Sequence, residues 1–100
     1  MIVIEKNKGT KIEYTVNDTK ITFGDDELTL NLAKYERDEE VRIDICRDDK
    51  KILSTGLSKY FVANIIIPAR AYDENGSAQP FDMEKVTLVL WALIENSMEV

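Results

Sequence analysis

The sequence predicts an all-β fold, a small antiparallel sandwich or barrel-like meander of about 7–8 strands. Three observations carry that prediction. Apolar and polar residues alternate with period two over 11–16, 19–23, 28–32 and 41–46, the mark of strands with one wet face. Residues 61–67 form a run rich in β-branched side chains and closed by Pro68, which reads as a strand buried on at least one face. Turn residues punctuate the chain at the short spacing of sandwiches and barrels. A single domain over residues 1–100 is expected, with the run at 61–67 and a second apolar run at 86–94 completing its core.

The elements follow in order. Ile2, Val3 and Ile4 predict an edge or opening strand, and Asn7-Lys8-Gly9 a turn. A two-residue loop at Asn17-Asp18 sets Val16 opposite Thr19, Tyr14 opposite Ile21 and Ile12 opposite Phe23, with every pair on one face. A four-residue loop at Gly24-Asp25-Asp26-Glu27 then sets Phe23 opposite Leu28 and Ile21 opposite Leu30, which builds a three-stranded meander. Residues 33–40 are mostly charged and predict a connection. Val41, Ile43 and Ile45 alternate with Arg42, Asp44 and Cys46 in a fourth strand. A two-residue turn at Asp48-Asp49 places Ile45 opposite Ile52 and opens a short fifth strand that Gly56 ends. The strand over 61–67 is expected to run on to Tyr72, with an edge or a bulge at Pro68. Residues 73–79 form the most loop-like stretch.

Residues 86–94 fit two templates. As a strand, Val86, Leu88, Leu90, Ala92 and Ile94 share one face, Thr87, Val89, Trp91 and Leu93 the other, and both faces are covered. The alternative is an α+β fold with a C-terminal helix over 83–96, Asp82 its N-cap. The strand is favoured, because Val86, Thr87 and Val89 crowd the turn where a helix would nucleate, and Leu88 and Trp91 fall outside its apolar stripe.

Bulk properties narrow the function. Hydrophobic residues make up 44% and charged residues 32% of the chain, values of a globular protein and not of a disordered one. One cysteine, Cys46, allows neither an internal disulfide nor a cysteine metal cage. With no secretory pattern at the start, the expectation is a cytoplasmic location. The run at 86–94 is too short to span a bilayer. A net charge of −6 disfavours direct nucleic-acid binding and an anionic membrane surface.

Chemistry leaves few candidates. The sequence contains no histidine, which removes the commonest general base and the usual Ser-His and Cys-His pairs. The glycines stand singly at positions 9, 24, 56 and 76, so no phosphate-cradling loop is formed. The acidic groups at 25–27, 38–40, 48–49 and 73–74 fall at turns or connections, where carboxylates serve solvation and local backbone bonding. They are weak candidates for a dyad or a calcium loop. No catalytic residue, cofactor or metal is therefore expected, and Cys46 reads as a small buried hydrophobe. If the two long strands pair, Trp91, Tyr72 and Tyr60 gather with Arg70, the residue types enriched at protein interfaces; the competing reading has Trp91 filling the core.

The stretches 65–72 and 80–91, an isoleucine-proline-arginine segment and an alternating run ending in Trp91, resemble small uncharacterised proteins encoded in bacterial prophage regions. The resemblance covers about the last third of the chain and implies a phage-related origin, with a place in a phage particle assembled inside the cell as the alternative location, and no active site attached. The expectation is a non-catalytic protein-interaction or assembly module, a phage-derived structural or accessory protein that binds a protein partner or itself. The alternative is an acidic inhibitor that imitates nucleic acid and occupies a basic protein.

Overall fold

The computed structural model describes residues 1–93 of the chain. The fold is all-β, with eight strands among the described residues: β1 (Ile2–Glu5), β2 (Tyr14–Asn17), β3 (Lys20–Phe23), β4 (Leu28–Asn31), β5 (Val41–Arg47), β6 (Leu53–Thr55), β7 (Tyr60–Ile67) and β8 (Thr87–Leu90). They form a five-stranded sheet in the order β1-β8-β7-β5-β6 and a three-stranded meander, β2-β3-β4. The apolar faces of the two sheets share one core. Ile21, Phe23, Leu30 and Leu32 meet Ile43, Ile45, Ala63, Ile65, Ile67, Val86, Leu88 and Leu90, all buried.

The strand expected over 61–67 is β7, the middle strand of the large sheet, flanked by β8 and β5. Its β-branched side chains suit that central place. The sheet is not wholly antiparallel as expected. β1 runs parallel to β8, with Val3 beside Leu88 and Glu5 beside Leu90.

The meander's second hairpin has the expected pairs, Phe23 with Leu28 and Ile21 with Leu30. Its first hairpin is shifted. Val16 pairs with Ile21 and Tyr14 with Phe23, so the loop residues are Asp18 and Thr19 instead of Asn17 and Asp18. Asp18 takes the positive φ that the turn requires, 62°, which a short polar residue tolerates. The Thr19 carbonyl accepts from the Leu32 amide at 2.8 Å, and its hydroxyl donates to Asn31 Oδ1 at 2.8 Å. The shift is by two residues in register, so side chains keep the faces that the alternation assigned.

The expected pairing of Ile45 with Ile52 is also corrected. Ile45 pairs with Thr55 and Arg47 with Leu53. The loop is longer because Asp48 Oδ1 accepts from the Lys50 and Ile52 amides, at 2.8 and 3.0 Å, while Lys51 turns the chain at φ 65°. Ile52 is left exposed. Residues 33–40 form the expected connection, opened by a 3₁₀ turn, Leu32–Tyr35.

β7 does not reach Tyr72; it stops at Ile67, before Pro68, which supplies no ladder donor. Tyr72 instead makes an isolated bridge to Ala78 around the exposed turn at 73–77. The bulge lies at the other end of β7, where Ile45 faces Ala63 but Cys46 faces Phe61. A helix over 83–96 is not formed across 83–93. Asp82 caps only a 3₁₀ turn, Met83–Lys85, and β8 follows it; Ile94, Glu95 and Asn96 lie outside the described residues. Val86, Leu88 and Leu90 are buried, while Thr87 and Val89 stay half-exposed. Only one face of the strand is therefore fully covered, not both.

Candidate interaction surface

Registered neighbours in a sheet project to the same side, so the pairings define the outer face of the large sheet, the one turned away from the meander. Three rows cross it. Ile2, Thr87, Ile66 and Arg42 form the first, and Ile4, Val89, Asn64 and Asp44 the second. The third runs from Lys6 over Trp91 and Phe61 to Cys46 and Ser54. Ile2 and Ile4 are 54% and 47% exposed, Phe61 is 37% exposed, and Ile66, Val89 and Trp91 are half-buried. A strip of apolar side chains thus remains open to solvent among the described residues.

A polar chain runs through the strip. Trp91 Nε1 donates to Asn64 Oδ1 at 2.6 Å, and Asn64 Nδ2 donates to Asp44 Oδ1 at 2.8 Å. Arg42 Nε donates to that same Asp44 oxygen at 2.9 Å. Asn64 is only 3% exposed, so both ends of its amide need these partners. Trp91 stacks on Phe61 with centroids 5.4 Å apart and planes 24° apart, and Lys6 Nζ stands 6.0 Å from its ring centre. Its backbone amide donates to Val62, inside the bulge. Trp91 is therefore fixed in place while keeping part of its ring at the surface.

The structure does not gather Trp91, Tyr60, Tyr72 and Arg70 on one face, although β7 and β8 do pair. Trp91 lies beside Phe61 near the start of β7. Tyr60 is adjacent in sequence but registers with Arg47 on the opposite face. Arg70 and Tyr72 follow the far end of β7, some ~20 Å away at the usual strand rise. There Arg70 donates to Asp38 Oδ1 at 2.9 Å and lies 3.5 Å from Glu36, and the Tyr72 hydroxyl donates to that same Asp38 oxygen. The Arg70 guanidinium is held above its ordinary range, first by the Tyr72 hydroxyl as hydrogen-bond partner and, against a burial penalty, by the Asp38 and Glu36 charges. A cleft of about 450 Å³ opens alongside, between Pro68, Phe81 and Lys85.

Phe61, Ile66, Val89, Ile2 and Ile4 were not singled out by the sequence as surface residues. Alternation in β8 put Val89 and Trp91 on one side, but the face-sharing of Phe61 with Asn64 depends on the bulge at Val62. An odd and an even position meet only because one residue is extra there.

The acidic groups serve their own turns and neighbours. Asp73 Oδ1 accepts from the Asn75 and Ser77 amides as Asp48 does in its loop. Glu27 pairs with Arg47 at 3.2 Å, which brings the 25–27 loop to the end of β5 that leads into Asp48. Asp38 meets Tyr72 beyond the opposite end. Among the described residues no three His, Cys, Asp or Glu side chains converge as metal ligands, and no helix is long and apolar enough to cross a membrane. Cys46 is buried and has a free thiol. Comparison with protein-family models, curated proteins and solved structures returns no match for this chain.

Proposed function

We propose that the protein is a non-catalytic interaction module that assembles through the outer face of its five-stranded sheet. The observation that carries this reading is the open apolar strip of Ile2, Ile4, Ile66, Val89, Phe61 and Trp91 on a face that nothing described covers. Contiguous exposed apolar surface marks interaction sites in soluble proteins. An anchored tryptophan that stacks on Phe61 and has Lys6 over its ring matches the aromatic composition of interface centres. The chemistry available points the same way: the sequence holds no histidine, and the carboxylates whose bonds are described above cap turns or pair with arginines. The resemblance of the last third to prophage-encoded proteins adds a phage-derived structural or accessory role inside the cell. The acidic-mimic reading calls for carboxylates on one face; the pairings of Glu27 and Asp38 set two of the acidic groups at opposite ends of the β5–β7 ladder.

Solution mass by light scattering, at low and high salt, tests the proposal. The expected result is a multimer at both salts whose mass falls in Ile66→Lys and Val89→Lys, each folded by circular dichroism. Apolar contacts survive screening whereas exposed charge pairs do not. An association that dissolves in high salt would transfer the reading to the acidic inhibitor, and a monomer throughout would sink self-assembly.

A further inference from the structure

We infer that β1 is a dimerisation strand, pairing antiparallel with β1 of a second copy about a two-fold axis at Val3, so that two five-stranded sheets join into one of ten. This rests on the assembly reading above and names its partner and geometry.

β1 is the edge of the large sheet, and all four of its residues are exposed. Its ladder to β8 uses alternate amides: Ile2 donates to Val86 and Lys6 to Leu90, both at 2.8 Å. In a parallel ladder the intervening residues, Val3 and Glu5, turn their N–H and C=O groups the other way. Those groups meet no strand among the described residues, and an extended segment is the chemistry that satisfies them. Edges are normally protected by Lys, Pro, a bulge or brevity. β6 is three residues long and β1 four, but Ile2-Val3-Ile4 carries no Lys, Pro or bulge.

The occupant follows from the registers open to it. Only Val3 and Glu5 face outward, so a two-fold can centre on Val3, Ile4 or Glu5. Centred on Glu5, two carboxylates stand directly opposite, which is repulsive. Centred on Ile4, Ile2 faces the partner's Lys6. Centred on Val3, Val3 faces Val3 and each Ile2 faces an Ile4, three apolar cross-strand pairs of the kind that stabilise sheets. Glu5 then stands clear of its copy, with its charge matched by its own Lys11 at 3.4 Å. Ile2 and Ile4 also belong to the outer apolar strip, which becomes continuous across the axis. So few contacts bury far less than the ~1,600 Å² of a standard interface, and the dimer is therefore concentration-dependent.

Sedimentation velocity over a concentration series, with Val3→Pro and Ile66→Lys, decides the matter. Val3→Pro removes only an outward donor, and proline is tolerated at such edge positions. The expected result is a monomer–dimer equilibrium that Val3→Pro weakens about tenfold or more, with circular dichroism unchanged and the wild-type Val3 and Glu5 amides losing hydrogen-exchange protection on dilution. Val3→Lys, which adds an edge charge without touching the backbone, is expected to do the same. Multimers unaffected by both Val3 variants but lost in Ile66→Lys would overturn the edge and leave the assembly reading standing. A monomer at every concentration, with both amides unprotected, would overturn the two together.

Discussion

At the scale of single residues, Asn64 is the position on which most depends outside the core. It lies within the run at 61–67 that the sequence reads as apolar, and its partners are 20 and 27 residues away, so no local pattern announces them. Removing its side chain strands an indole N–H and takes a donor from the Asp44 carboxylate. Asn64→Ala should therefore cost about 1–3 kcal/mol, read by chemical denaturation, with an altered Trp91 emission in the folded state. An unchanged spectrum and a cost below the typical surface value of ~0.5 kcal/mol would show that the hydrogen-bond chain holds nothing in place. Arg70 and Tyr72 were legible as polar aromatic-and-cation candidates, yet what they do locally is tie the 36–38 connection to the segment after β7.

At the scale of elements, the alternation in residues 11–46 was enough to find β2 to β5 and to place their apolar faces, because a period of two leaves only one buried side. Registers were harder. The loop between β3 and β4 came out as expected, since Gly24 supplies a positive φ of 67° at a fixed place. The loops after β2 and β5 did not. There Asp18 and Lys51 adopt left-handed backbone, which lysine does not advertise, and side-chain bonds from Thr19 and Asp48 set the turn length. Lys51 is the costlier of the two, having no short polar group to offset the conformation. Lys51→Gly should raise stability by about 0.5–1 kcal/mol after the entropy of glycine is counted, seen as a higher denaturation midpoint with an unchanged slope. A loss of stability would mean that the lysine side chain makes a contact worth more than the strain.

At the scale of the whole molecule, charge opposes association while the sheet face favours it. Two copies that each carry −6 repel, and the repulsion fades as carboxylates protonate toward the isoelectric point near 4.6. The concentration for half-association should fall between pH 7 and 5, where the net charge shrinks toward zero, measured by light scattering, with the fold intact by circular dichroism. The opposite trend would mean that ionised carboxylates make the contact, as in the acidic-inhibitor reading. The all-β class and the strand over 61–67 were readable from the sequence because burial imprints itself on composition, whereas the strand expected over 86–94 covers only Thr87–Leu90. The outer face was not readable, since it is assembled from β1, β8, β7 and β5, and its rows exist only once a parallel pairing and a bulge have been specified.

That parallel pairing has a consequence in time. β1 is made well before β8, beside which it lies and which ends at Leu90. At typical synthesis rates of about 5–20 residues per second, Ile2, Val3 and Ile4 wait on the order of 4–17 s before their neighbour exists. Throughout that interval the nascent chain carries an unpaired apolar strand, and on a polysome many such chains stand close together. The earliest opportunity for two copies to meet, or for a holding chaperone to intervene, thus comes before the large sheet is complete.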